Sequence, residues 1–208
     1  MTPERFELVT ADGVTLEAEW CAPPDAIATV VLCHPHPQYG GTMRSIVTSA
    51  LFEGLPRQQF ACLRFNFRGV EGSGGEHGEG RDEPNDVAAA IDAAAARSAT
   101  PLALVGWSFG ADMALTVADA RVRGWVGIAP PLRFRAAADY ATIGGDARPK
   151  LLVLAAHDEF RAPDDVAAEV APWTATEITV IPGASHFFVG RTAAVVERVA
   201  EFVRMLAG

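Results

Sequence analysis

Apolar residues along this chain fall into short unbroken runs that alternate with stretches where they recur at helical spacing. Phe6 to Thr10 and Val14 to Cys21 read as two strands, and Asp12-Gly13 between them is a hairpin turn signal, so the N-terminal end is expected to form an antiparallel ribbon. Ile27 to Cys33, Phe60 to Phe67, Val122 to Ala129, Leu151 to Ala156 and Glu177 to Ile181 read as further strands. The first of these is continuous and β-branched, as in a strand covered on both faces. Between them, Ser45 to Leu55 places Ile46, Val47, Ala50, Leu51 and Leu55 on one side of a helix, which Pro56 ends. Helices are also predicted over Val87 to Ala99, introduced by a capping carboxylate in Asp82-Glu83-Pro84, over Pro163 to Trp173, and over Thr192 to Leu206. Leu132 to Pro149 is mixed in character. Strands alternating with helices imply right-handed crossovers and a mostly parallel sheet with helices on both faces, an α/β architecture opened by the antiparallel hairpin. The 208 residues fit a single domain, 1–208, without repeats or linkers.

Composition narrows the class. A formal net charge of -9 argues against a nucleic-acid or anionic-membrane surface, which would need clustered Lys and Arg. No apolar run approaches membrane-spanning length and the N-terminus has no apolar leader, so a cytoplasmic location is expected. Cys21, Cys33 and Cys62 are odd in number and sit in or beside strand-like runs, as reduced thiols filling core space.

The chemistry concentrates where strands end. Leu102 to Leu115 is an apolar run that turns through Gly106-Trp107-Ser108-Phe109-Gly110 into a helix-compatible segment, the pattern of a nucleophile elbow with Ser108 at its tip. A serine hydroxyl attacks a carbonyl only if a base takes its proton. Of His34, His36, His77, His157 and His186, the last follows a strand, comes after the serine and precedes the final helix, which fits the chain order serine, acid, histidine. Asp158, just beyond another strand, is preferred as the acid to its neighbour Glu159, while Asp164 and Asp165 are placed to cap the helix at Pro163. Two amides must face the developing oxyanion. Phe109 offers one; the loop His34 to Gly41 offers the other, and since Pro35 and Pro37 have no N–H, His36 is preferred with Gln38 or Tyr39 behind it. His34-x-His36 as a metal pair would suit a barrel of eight strand–helix units, for which the chain is too short. The glycine-rich loop Gly69 to Gly80 lacks dinucleotide-binding spacing and is read as a solvated loop at the site rim, anchored by Arg68 on a carboxylate such as Asp82 or Glu83. Phe187 and Phe188 are read as core or pocket wall, and Trp107 as packing under the elbow in preference to a substrate contact.

His34-Pro-His-Pro-Gln-Tyr-Gly-Gly-Thr-Met43, Leu63-Arg-Phe-Asn-Phe-Arg-Gly69, Gly106-Trp-Ser-Phe-Gly110, Ile128-Ala-Pro-Pro131, Asp158-Glu159 and Gly183-Ala-Ser-His-Phe-Phe188 occur in order over nearly the whole chain. In these segments the chain resembles the α/β-hydrolase superfamily, specifically small lidless bacterial serine hydrolases related to dienelactone hydrolases. The resemblance implies an α/β-hydrolase fold and a triad of Ser108, Asp158 and His186. It also implies an open pocket and esterase activity on small acyl substrates. Two features depart from the group. The acid loop reads Ala155-Ala-His-Asp158 instead of Gly-Asp-x-Asp, and the nucleophile position holds serine where dienelactone hydrolases proper have cysteine. Leu132 to Pro149 is too short for a lid domain, leaving Tyr39, Leu132, Phe134, Tyr140 and Ile143 as expected substrate contacts. The expected function is hydrolysis of a small-molecule ester or thioester through an acyl-enzyme, with no metal or organic cofactor. An amidase or peptidase using the same triad, or a binding protein retaining the fold, are the alternatives.

Overall fold

The computed structural model describes residues 2–208. Eight strands form one sheet in the order β1-β2-β4-β3-β5-β6-β7-β8. They are β1 (Glu4–Val9), β2 (Thr15–Cys21), β3 (Ala28–Cys33), β4 (Phe60–Phe65), β5 (Leu102–Trp107), β6 (Val122–Ile128), β7 (Lys150–His157) and β8 (Thr176–Ser185). β1 pairs antiparallel with β2 and β2 with β4, and every other pairing is parallel. All side chains of β3, β4 and β5 are buried, as the unbroken apolar runs require.

The helices are α1 (Ile46–Gly54), α2 (Glu83–Arg97), α3 (Phe109–Ala114), α4 (Ala137–Gly145), α5 (Pro163–Val170) and α6 (Thr192–Ala207). Two apolar cores result, one on each face of the sheet. Val87, Ile91, Met113, Tyr140, Ile143 and Val166 place α2 to α5 over one face. Val47, Leu51, Phe52, Val195, Val199 and Phe202 place α1 and α6 over the other. Cys21, Cys33 and Cys62 are free thiols buried in these layers, and burial raises the pKa of each, which keeps them protonated.

Two local expectations, at β8 and at Asp82, are corrected, and the mixed segment between β6 and β7 is resolved. β8 does not stop at Ile181 but continues through Pro182 to Ser185, because it is an edge strand whose proline costs no ladder bond on the open side. Leu132 to Pro149 contains the helix α4, whose start at Ala136 carries no apolar or capping signal beyond Asp139, which accepts from the Ala136 N–H at 3.1 Å. Asp82 occupies the N-cap of α2 yet makes no capping bond; Glu83 instead accepts from the Gly78 and Gly80 amides at 2.7 and 2.8 Å.

The elbow is the tightest crossing in the fold. A Cβ on Gly106 would lie 2.1 Å from the Gly110 carbonyl oxygen, and one on Gly110 would lie 2.4 Å from the carbonyl oxygens of Cys33 and His34. These obstacles are backbone and cannot rotate away. Gly106→Ala is therefore expected to cost about 3 kcal/mol or more, as over-packing against fixed atoms does. Urea unfolding measures this, and a change under about 0.5 kcal/mol, the size expected at an unconstrained surface position, would contradict it.

Candidate active site

The carboxyl ends of the parallel strands lie side by side: Cys33 opposite Gly106, Trp107 opposite Ile128, His157 opposite Ser185. Each strand delivers its next residue to one edge of the sheet, where ligands meet such folds. β5 delivers Ser108, held at φ 54° and ψ -121° between strand and helix. A non-glycine residue in that region is strained, and here the backbone contacts of Gly106 and Gly110 enforce it. β8 delivers His186 and β7 delivers Asp158.

These three side chains meet. Ser108 Oγ donates to His186 Nε2 at 2.9 Å, and His186 Nδ1 lies 2.8 Å and 3.0 Å from the two oxygens of Asp158. The pairing assigns the imidazole proton to Nδ1, leaving Nε2 free to accept. His186 and Asp158 side chains are 6% and 5% exposed, so their hydrogen bonds are shielded from water. Asp158 Oδ1 also accepts from the amides of Phe160 and Arg161 at 2.9 Å and 3.2 Å, which fixes the carboxylate despite the absence of the Gly-Asp turn. Such a chain can move a proton from a hydroxyl onto imidazole while a fixed carboxylate stabilises the imidazolium.

Glu159 has a different place from its neighbour. Its Oε2 accepts from the backbone N–H of His186 at 3.0 Å, while the Trp107 indole donates to the His186 carbonyl at 3.2 Å. The histidine backbone is thus clamped on both sides. The only sequence signal for the Trp107 bond is a tryptophan beside the elbow serine, since a buried indole seeks an acceptor.

The loop after β3 carries a short 3₁₀ turn, Pro37–Tyr39. Its amides are mostly spent on itself: Gln38 N–H donates to His36 Nδ1, Tyr39 and Gly41 N–H to the His36 carbonyl, and Gly40 N–H to Pro37. With Pro35 and Pro37 lacking donors, His36 N–H is left without an acceptor among the described residues, whereas Gln38 and Tyr39 are engaged. Phe109 N–H, first in α3, has no carbonyl behind it in the helix.

The loop is held from beneath. His34 is fully buried, donating from Nδ1 to the Pro35 carbonyl at 2.6 Å and accepting at Nε2 from Phe67 N–H at 3.0 Å, so neither nitrogen is left for a metal. Met43 N–H donates to Asn66 Oδ1, and Arg64, paired with Glu19, donates to the Met43 carbonyl. Arg68 pairs with Asp86 and Asp12, not with Asp82 or Glu83, because Asp86 is on the inward face of the first turn of α2 while Glu83 is occupied by the glycine loop. That loop is only partly solvated: Val70, Ser73, Gly78 and Gly80 are buried, and the His77 ring packs 5.0 Å from that of His36.

Burial drives the His34 imidazole down to about 3 and that of His36 to about 4, so both are neutral at pH 7. For His34 the consequence is an acid-labile fold. Its folded pKa lies below the ordinary 6.5, so the stability it contributes is complete above pH 6.5 and is lost as pH falls towards 3, on the order of 4 kcal/mol over the whole window. Urea unfolding between pH 7 and 4 is expected to show falling stability, with a shallower fall in His34→Gln. An unchanged slope in the variant would contradict this.

Ser108 opens into a cavity of about 480 Å³ lined by Pro35, His36, Tyr39, Gly41, Ile46, Trp107, Pro131, Arg133, Phe134, Phe160, His186 and Phe187. Of the expected contacts, Tyr39 and Phe134 lie on this wall. Leu132, Tyr140 and Ile143 do not; they are buried in the core beneath α4. The reason is Asp112, a fully buried carboxylate on α3 that accepts from the amides of Leu132, Arg133 and Phe134 at 2.9, 3.0 and 3.1 Å and draws the segment down onto the elbow helix. Desolvation raises its pKa to about 6 against those bonds. Phe187 stands on the cavity wall while Phe188 is in the core.

No protein-family model matches the chain. Among solved structures it is similar to an alpha-beta serine hydrolase homologue from Coxiella burnetii, at 33% identity and a TM-score of 0.87, covering 98% of each chain. It is also similar to an α/β serine hydrolase without lid from Xanthomonas campestris, at 26% identity and a TM-score of 0.86, covering 99% of this chain and 95% of that one. By sequence, an uncharacterized protein of Rickettsia prowazekii is 30% identical over 175 residues, 79% of this chain and 73% of that protein.

Proposed function

The chain belongs to the α/β serine hydrolase superfamily, and from that premise we propose that it hydrolyses small esters or thioesters through an acyl-enzyme formed on Ser108. The observation that carries the reading is the hydrogen-bonded series Ser108–His186–Asp158 at the mouth of an apolar cavity. Ser108 Oγ attacks the carbonyl carbon as its proton passes to His186 Nε2, and Asp158 stabilises the imidazolium through Nδ1. The carbonyl oxygen gathers negative charge between the amides of Phe109 and His36, neither of which has an internal acceptor among the described residues; each such donor is typically worth about 3 kcal/mol to the transition state. Collapse of the tetrahedral intermediate breaks the bond to the alcohol or thiol, which leaves with the proton from His186. Water then takes the alcohol's place, gives a proton to the same nitrogen and attacks the acyl carbon. The carboxylic acid departs and Ser108 recovers its proton.

The cavity sets the acyl size. Only residues 129–149 separate β6 from β7, and they hold one short helix, so no inserted segment among the described residues covers the site as a lid would. The site is thus an uncovered cavity of about 480 Å³, and an acyl chain long enough to leave it gains no further enclosing wall. Across a series of nitrophenyl esters, kcat/KM is expected to peak at short acyl chains; a maximum above about ten carbons would contradict the open-pocket reading.

A further inference from the structure

We propose that Arg133 selects an ester that carries a carboxylate, binding that carboxylate while Ser108 reacts with the ester carbonyl; this rests on the acyl-transfer reading above. Arg133 is the one formally charged side chain on the cavity wall among the described residues, since His36 is neutral. In a chain of net charge -9, most arginines lie within 4 Å of a carboxylate. Its neighbours follow that pattern: Arg135 pairs with Asp139 at 3.1 Å, and Arg161 pairs with Glu169. Arg133 has no such partner among the described residues, although Asp158, Glu159, Asp165 and Glu169 border the adjoining depression. The first two are turned to His186, one to its ring and one to its backbone, Glu169 is held by Arg161, and Asp165 makes no ion pair with Arg133 within 4 Å.

The position of Arg133 is built into the fold. Asp112 follows Ser108 by one helical turn and holds the amides of residues 132 to 134, so the nucleophile and the main chain of Arg133 share one rigid support. Leu132 adopts φ 48°, a left-handed conformation costly for a leucine, in making that approach. The guanidinium carbon lies 5.3 Å from the centroid of the Phe134 ring, which itself packs on His36 and Phe109. An arginine resting on an aromatic wall, with its fork unpaired, suits a planar carboxylate.

The carboxylate could sit on the acyl part, as in a hemiester of a dicarboxylic acid, or on the alcohol part, as in an ester of a hydroxy acid. The test therefore has two arms at low ionic strength, each following proton release: monoethyl adipate against ethyl hexanoate, and O-butanoyl glycolate against propyl butanoate. In at least one arm the wild type is expected to favour the charged ester by about tenfold or more in kcat/KM, chiefly through KM, as a charge-assisted hydrogen bond would. Added salt should erode the preference. Arg133→Gln should abolish it and Arg133→Lys keep part of it, with thermal unfolding checking that both variants fold. The arm that responds tells which half of the ester bears the charge. Indifference to charge in both arms, or a preference that survives Arg133→Gln, would overturn the proposal. Turnover of the neutral esters that disappears in Ser108→Ala would still leave the hydrolase reading in place.

Discussion

Ser108→Ala is expected to lower kcat/KM for a short-chain nitrophenyl ester by at least about 10⁴-fold while leaving thermal unfolding nearly unchanged. Among the described residues the hydroxyl has one partner, His186 Nε2, and Ala fits the same strained backbone as Ser, so the fold loses only that hydrogen bond. Catalysis loses the atom to which the acyl group is joined. The remaining activity would come from binding and the two free amides, which act on a water without a covalent step. A loss below about tenfold would mean that hydrolysis does not pass through this serine.

The second large effect separates two adjacent acids. Asp158→Asn is expected to reduce kcat about 10³- to 10⁴-fold with little change in KM, because an amide NH₂ facing Nδ1 would force the proton onto Nε2 and remove the base. Glu159→Gln keeps an acceptor oxygen for the His186 N–H and should stay within about tenfold of wild type, since a neutral amide still makes an ordinary hydrogen bond. Steady-state kinetics on the two variants checks the assignment. The reverse order of effects would give the acid's role to Glu159.

The strand framework was legible because burial on both faces leaves an unmistakable apolar run, and because glycines at 106 and 110 bracket a serine between a run and a helix. Chain order then points to His186 and Asp158, and the structure brings His186 within hydrogen-bond reach of Ser108 and Asp158 within reach of His186. Four kinds of information were not local. Pro182 and Gly183 look like the end of a strand, but only the sheet order shows that β8 is an edge where proline is tolerated. Leu132, Tyr140 and Ile143 are apolar residues beside the site, and nothing in their spacing tells core from pocket; Asp112, twenty residues earlier than Leu132, decides it. Phe160 stands alone in a loop, where an exposed aromatic has no periodic signature, whereas Phe187 and Phe188 are legible as core or pocket wall and only the structure tells which of the two faces the cavity. Arg68 is legible as a cation that needs a carboxylate, yet its partner depends on which face of α2 turns to the sheet, and that phase favours Asp86.

The fold spends much of its buried polar chemistry on aiming backbone groups. Asn66, Arg64 and His34 fix the loop that presents the His36 amide, Glu159 and Trp107 fix the main chain of His186, and Asp112 fixes residues 132 to 134. In the proposed reaction these groups would already be in place when a substrate arrives, as electrostatic preorganisation requires.

The most direct test of an acyl-enzyme on Ser108 is fluorophosphonate labelling followed by intact-mass and peptide-mapping mass spectrometry. The account predicts a single phosphonyl adduct, located on the peptide that carries Ser108, absent from Ser108→Ala and much slower to form in His186→Ala. A well-folded wild-type protein that takes no adduct, or takes it on another residue, would contradict the account.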